Sequence, residues 1–420
     1  MDFNSTRFGA VIAVVTAGLL IGGCASLIAP EIVAPQGGDF RLSLQKSPAG
    51  EFVVEDLAAY ISVRRRVAVG PPPATLAVEV VPPGDYSVRI GERKRGDCRS
   101  LYLTNSAQRQ LMKAAEDVWQ AKWPAQHHLT EARGKTESKN NPSAVRLTVE
   151  ALPSTMLRRY RASVARLRST VVPKGTVILL PGDGNGMLSM VPWALLLGQA
   201  GYQSILVDLR AEGRSTGKYV TYGALESRDL VQLVAALRKD GLIRGPLGLL
   251  GDSLGAATAL LAAPHIPRLA AVVAISPYTR AVTVIPRFAR SFFWYANLIP
   301  ASSWMAAERR AGLITGVSLA DAAPIEVVPR IRAPVLYLQG GRDHIIGLKQ
   351  AHELAAHTPD SKLLIYPKRD HLQMAVDYAQ LAKPVIDWYN DYLARDPQRD
   401  RLHVTARQPP YSFSLTFCFR

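Results

Sequence analysis

The residues of this chain that could do chemistry gather around one serine. Leu249-Leu250-Gly251-Asp252-Ser253-Leu254-Gly255-Ala256-Ala257 carries the spacing G-x-S-x-G. An apolar run leads in and a helix-forming run leads out. The pattern therefore predicts a sharp strand-to-helix turn that lifts the Ser253 hydroxyl into the open. The helix start aimed at the same spot favours developing negative charge. A serine is a weak nucleophile and requires a base, which a carboxylate must orient. Both follow in order. Tyr337-Leu338-Gln339-Gly340-Gly341-Arg342-Asp343 places Asp343 just past a strand, and Leu364-Ile365-Tyr366-Pro367-Lys368-Arg369-Asp370-His371 places His371 in the loop after the last one. Of the eight histidines only His371 has that placement. His344 adjoins Asp343 itself, and His265, His352 and His357 lie on or near helical patterns. Asp370 could stand in for Asp343, although a sequence neighbour rarely reaches the imidazole beside it.

A serine attacking a carbonyl also requires N–H donors for the resulting oxyanion. The first expected donor is Leu254, directly after the nucleophile. The second is expected from Leu180-Pro181-Gly182-Asp183-Gly184-Asn185-Gly186, where glycines admit close backbone approach. Asp183 is the candidate there, with the reservation that its carboxylate opposes an oxyanion unless turned away. No Gly-Lys-Ser/Thr follows this loop, which excludes a phosphate-cradling P-loop.

These groups need a scaffold. Val177 to Leu180, Ser204 to Val207, Leu247 to Leu250, Ala271 to Ile275, Val335 to Leu338 and Leu363 to Ile365 are short runs rich in β-branched residues and leucine. Helical patterns separate most of them, such as Leu230, Leu233, Val234 and Leu237 after Glu226. That alternation predicts an α/β domain with a mostly parallel sheet covered on both faces. The Ser253, Asp343 and His371 segments resemble the α/β-hydrolase superfamily over about 171–395. Val207-Asp208-Leu209-Arg210-Ala211-Glu212-Gly213-Arg214-Ser215 is similar to that superfamily's Asp-x-Arg-Gly-x-Gly-x-Ser loop. Thr221-Tyr222-Gly223-Ala224-Leu225-Glu226-Ser227-Arg228-Asp229 looks like the helix start that follows, and Ile331-Arg332-Ala333-Pro334-Val335-Leu336 like the lead into the acid-bearing strand. Two departures stand out: Pro181-Gly182 replaces the usual His-Gly, and Ala211-Glu212 alters the second loop.

The resemblance implies an α/β-hydrolase fold with a short lid over 278–324. It also implies serine-dependent hydrolysis of a small-molecule or lipidic carboxylic ester, with no organic cofactor and no metal. A serine peptidase on the same scaffold, or a silent hydrolase-like binding module, are the rival readings. In the lid Phe288, Phe292, Phe293, Trp294, Tyr295 and Trp304 mix with Arg287, Arg290, Arg309 and Arg310. Such a mixture could line an acyl pocket, rest at a lipid interface, or pack the lid onto the core.

The chain begins with Arg7 and an apolar run from Phe8 to Gly23, then Ile21-Gly22-Gly23-Cys24. Sixteen residues rise ~24 Å as a helix, short of a ~30 Å hydrocarbon layer. A basic start, short apolar run and small-residue exit predict a signal peptide over 1–23. The exit resembles the lipobox of bacterial lipoproteins, which implies acylation of Cys24 and attachment to the cell envelope, on the periplasmic or outer side. Residues 24–50 then read as a tether and 51–170 as an α+β extension, with a hairpin from Thr75 to Ile90, a helix from Ala107 to Trp123, a polar loop from Gln126 to Pro142 and a strand from Val145 to Val149. Arg158, Arg159, Arg161, Arg166 and Arg168 could touch phosphates of lipid or nucleic acid, and read foremost as solvated helix surface. Cys98 and Cys418 could pair after export or remain thiols. In the tail, 396–420, Tyr411, Phe413, Leu415, Phe417 and Phe419 alternate with small polar residues, predicting a one-sided strand at an edge or left exposed.

The whole chain has 420 residues, enough for two or three domains. Its hydrophobic content of 48% and charged content of 20% exclude disorder throughout. Three cysteines exclude a disulfide-stapled miniprotein and a Cys-rich zinc module. Fifty Lys+Arg against 34 Asp+Glu give +16, which favours anionic surroundings such as lipid head groups. No nucleic-acid module is present, and no nucleic-acid partner is expected.

Overall fold

The computed structural model describes residues 24–34, 51–53, 63–83, 86–92, 98–99, 159–166, 172–292, 294–394 and 415–419. The expected signal segment, the helix over 107–123, the loop over 126–142 and the strand over 145–149 lie outside the described residues.

Eight strands form the main sheet: β1 (Val63–Val69), β2 (Ala74–Val81), β3 (Thr176–Leu180), β4 (Gln203–Val207), β5 (Leu247–Asp252), β6 (Leu269–Ile275), β7 (Val335–Gly340) and β8 (Ser361–Tyr366). Their spatial order is β8-β7-β6-β5-β3-β4-β2-β1. The six from β3 to β8 are parallel and coincide with the six apolar runs of the sequence. β2 joins β4 antiparallel, and β1 joins β2 likewise. Every residue of β3, β4, β5 and β7 is buried, as expected for strands covered on both faces.

The covers are helical. On one face α2 (Val191–Gln199) and α10 (Tyr378–Tyr392) set Trp193, Leu197, Ile386 and Tyr389 against Leu179, Leu250 and Leu336. On the other, α3 (Glu226–Lys239), α4 (Leu254–Ala262) and α8 (Leu348–His357) set Leu233, Leu260 and Leu354 against Ile178, Leu249 and Tyr337. Between β6 and β7 lies the segment expected as the lid, which holds α5 (Ala281–Phe292) and α6 (Ala301–Thr315). The short α7 (Pro324–Val327) leads back towards β7, and α9 (His371–Val376) follows β8.

Four expectations are corrected. The hydrolase-like sheet begins at Val63 rather than near residue 171, because β1 and β2 extend it. The hairpin over Thr75 to Ile90 does not form: Ala74–Val81 belongs to the main sheet, while Tyr86–Glu92 belongs to a second, five-stranded one. The arginine-rich run contains a strand, Arg159–Arg166, in that second sheet, and not a helix. Leu415–Phe419 lies inside the second sheet, between Tyr86–Glu92 and Cys98–Arg99. In that ladder Cys418 stands directly opposite Cys98. Cross-strand Cα atoms sit about 4.5–5.5 Å apart, within the span a disulfide bridges.

The tether reading is also corrected at its start. Cys24–Val33 is a helix, α1, and Ile28, Ala29, Ile32 and Val33 are buried against the lid. Alanines and β-branched residues on one side of this turn give it a surface to bury, which a free linker lacks.

The loop after β4 fastens β2 into the sheet. Ser215 Oγ and Thr216 Oγ1 accept the N–H groups of Ala77 and Thr75 at 2.8 and 2.7 Å. Arg210 donates twice to Asp229, at 2.7 Å each, and once to the Pro72 carbonyl at 2.9 Å. Both ion-pair side chains are 3% exposed, so neither can fall back on water. Asp229→Ala leaves the guanidinium buried and unpaired, and should cost about 3–5 kcal/mol. Urea unfolding at neutral pH should read this as a lowered midpoint with an unchanged slope.

Candidate active site

Ser253 sits on the last turn of backbone between β5 and α4 with φ 48° and ψ −108°. A non-glycine residue at positive φ costs on the order of 1–3 kcal/mol and persists only where its surroundings force it. The surroundings here are tight. A Cβ on Gly251 would lie 2.3 Å from the Gly255 carbonyl carbon, and one on Gly255 would lie 2.2 Å from the Leu180 carbonyl oxygen. Ser253 N–H is tied to the Ile275 carbonyl at 2.8 Å. The two glycines of G-x-S-x-G are thus required by contact between α4, β5 and the end of β3.

The structure brings the three expected side chains together. Ser253 Oγ lies 3.0 Å from His371 Nε2, and His371 Nδ1 lies 2.8 Å from Asp343 Oδ2. Asp343 and His371 are 4% and 7% exposed. Further donors hold the Asp343 carboxylate: Gln339 Nε2 reaches Oδ2 at 2.9 Å, and the Ile345 and Ile346 N–H groups reach Oδ1 at 3.0 and 2.9 Å. Burial pushes the Asp343 carboxyl up, but the hydrogen bond and charge of His371, with these donors, outweigh it and hold its pKa low. For His371 burial pulls down, and the hydrogen bond and charge of Asp343, helped by Asp252 and Asp370, raise the imidazole above its usual value.

Asp370 has other work. Its Oδ1 accepts the Gln373 N–H at 2.8 Å, while Gln373 Oε1 accepts the Asp370 N–H at 3.0 Å, a capping box that starts the helix carrying His371. His265, His344, His352 and His357 are all exposed.

Leu254 is the first residue of α4, where an N–H has no carbonyl one turn back to accept it. Gly182 lies against the serine: a Cβ there would be 3.6 Å from Ser253 Cβ and 3.0 Å from Asp252 Oδ2. Asp183 follows immediately. Its carboxyl is buried near those of Glu212 and Glu226, and burial with the Glu226 charge raises it to about 6. Burial and the Asp183 charge hold Glu212 well above the ordinary carboxyl range.

Several supporting residues carried no separate signal in the sequence. Glu212 Oε1 accepts the Gly184 N–H at 2.8 Å, and Asp208 Oδ1 accepts the Met187 N–H at 2.6 Å. Asp208 Oδ2 takes the Arg214 N–H at 2.8 Å. The Asp-x-Arg loop therefore holds the loop of Gly182 and Asp183 by two carboxylates. Asp252, next to the nucleophile, is 7% exposed, and burial raises its carboxyl to about 6 while the His371 charge opposes this. Its Oδ1 has no hydrogen-bond partner among the described residues.

The lid aromatics divide. Trp304 is buried in the cluster with Tyr278, Val284, Ile285, Ile345 and Ile346, and Phe288 packs against it. Trp294 is exposed.

Parts of the chain are similar to known proteins. Residues 172–318 match the hydrolase family described as serine aminopeptidase, S33. The uncharacterized protein YqkD of Bacillus subtilis (strain 168) is 27% identical over 183 residues, 43% of this chain and 58% of that relative's length. Among solved structures, an esterase of Pyrococcus furiosus is similar at 22% identity and TM-score 0.44, covering 53% of this chain and 83% of its own. A puromycin-hydrolyzing peptidase of Mycobacterium tuberculosis is similar at 16% identity and TM-score 0.45, covering 81% of this chain and 40% of its own. The strand order, the turn at Ser253 and the matched family define an α/β-hydrolase fold, and they support a hydrolase.

Gly255→Ala should cost roughly 3 kcal/mol by overpacking against the Leu180 carbonyl and should abolish reaction at Ser253. A fluorophosphonate label together with thermal melting would read both effects. Since a neutral imidazole is the base, kcat/KM should rise with pH through a midpoint above the usual 6.5 of histidine. Asp343→Asn should move that midpoint down and lower kcat by as much as ~10⁴-fold. A pH–rate profile of both proteins on one ester tests this.

Proposed function

We propose that this protein is a serine hydrolase that cleaves carboxylic esters through an acyl-enzyme, held at the bacterial cell envelope by acylated Cys24. The observation that carries the chemistry is the continuous relay from Ser253 Oγ through His371 to Asp343, at 3.0 and 2.8 Å.

In this reading His371 Nε2 takes the Ser253 proton as Oγ bonds to the substrate carbonyl carbon. Asp343 fixes the tautomer with the proton on Nδ1 and stabilises the imidazolium that forms. The oxyanion rests on the N–H groups of Leu254 and Asp183. The intermediate then collapses, the C–O bond to the alcohol breaks, and His371 returns its proton to the leaving alkoxide. A water, deprotonated by the same nitrogen, attacks the acyl-enzyme and frees Ser253 and the acid.

One observation favours a peptidase instead, the match to the family described as serine aminopeptidase. Amide cleavage uses the same relay with an amine as leaving group.

Against a panel of p-nitrophenyl esters and of aminoacyl anilides, the esters should be turned over at least ~10-fold faster by kcat/KM, a difference of about 1.4 kcal/mol in transition-state stabilisation. The reverse order would replace the esterase reading with the peptidase one. Ser253→Ala should remove turnover of both series, and full retention would exclude the mechanism.

A further inference from the structure

We infer that the lid is the membrane-facing surface of this protein and lies on the bilayer that holds the acyl chains of Cys24. The inference rests on the anchoring proposed above. Cys24 is the first residue of α1, and α1 is a docked element. Ile28, Ala29, Ile32 and Val33 are buried with Trp304, Ala307 and Ala311 of α6, and Ala25 packs at the edge of the same cluster. The far end of the helix is fastened as well. Val33 and Ile32 carbonyls accept the Val220 N–H at 3.1 Å and the Tyr222 hydroxyl at 2.9 Å.

An anchor with no slack fixes orientation. The anchor proposed at Cys24 opens α1, so a docked α1 ties the lid it packs on to the same membrane. The composition of the lid suits the contact. Trp294 is 74% exposed, Leu298 59%, Met305 53% and Leu313 84%. The other large apolar side chains exposed among the described residues, Val172, Ile365 and Val376, lie outside the lid. Singly exposed apolar residues are ordinary, but a group of them beside an anchor is a contact surface. Met305, Arg309 and Leu313 follow one another at four-residue intervals along α6 and so share a stripe. Exposed Arg309 and Arg310 place guanidiniums where anionic head groups would lie. The underside of the same lid reaches Ile345 and Ile346, whose N–H groups hold Asp343. A substrate arriving from this side comes out of the lipid layer, which selects acyl esters of membrane amphiphiles.

The test uses the full acylated chain in vesicles of phosphatidylethanolamine and phosphatidylglycerol, some with brominated acyl chains. Bromine should quench part of the tryptophan emission, and Trp294→Phe should remove the quenched part. The variant Leu298→Asp with Leu313→Asp should lower kcat/KM at least tenfold on a vesicle-embedded ester. It should leave a soluble p-nitrophenyl ester unaffected, since both side chains point into solvent. A chain that stays on the vesicles with equal emission in the two lipids overturns the lid placement while the anchor stands. Absence of acyl label at Cys24 overturns the anchor and the placement with it. Quenching at Trp294 with no turnover of either ester supports the placement and removes the esterase reading.

Discussion

Ser253 is held in a backbone conformation that serine does not choose, and the candidate site depends on that constraint. The forcing contacts are all backbone: Gly255 against the Leu180 carbonyl, Gly251 against Gly255, and the Ser253 N–H on Ile275. They arise because β3, β5 and β6 are neighbours in a parallel sheet, so their carboxyl ends meet at one place. The strain is therefore sustained by the packing of buried strands and not by the loop itself. Reactive groups drawn from distant parts of the chain then converge without any of them having to be near another in sequence.

The site also gathers acids that a low-dielectric interior ordinarily rejects. Asp343 is ionised because its donors and His371 compensate for lost water. Asp208 is satisfied by the N–H groups of Met187 and Arg214. At Asp183 and Glu212 burial instead raises the carboxyls, to about 6 at Asp183 and well above the ordinary range at Glu212. The hydrogen bonds of Asp208 and Glu212 fix the two loops that flank the nucleophile. Electrostatic cost in the folded state and geometric order at the serine are here the same fact.

The six parallel strands were legible because a strand buried on both faces must be apolar throughout, and such runs stand out between amphipathic helices. Ser253, Asp343 and His371 were legible because each closes one of those runs. Less local relations were not. Nothing in Ala74–Val81 tells that its neighbour is Gln203–Val207, more than a hundred residues later, so a nearby turn suggested a hairpin with Tyr86 onward. The arginines of Arg159–Arg166 hid a strand because charge says little about backbone pairing in a sheet. Cys24–Val33 looked like a tether because its buried side faces a lid far along the chain. The roles of Glu212 and Gln339 were hidden for a related reason: each acts on a backbone or carboxylate group that only the fold brings near.

The outer strand of the main sheet, β1, ends that sheet with Arg64, Arg65 and Arg66 in succession, all exposed. An open strand edge is a template on which an identical chain can add its own. Here two copies meeting edge to edge would press like charges together along the pairing line, while Glu79, two percent exposed, already engages Arg64 and Arg214 from within. Among the described residues that edge is thereby guarded against growing from one molecule into the next.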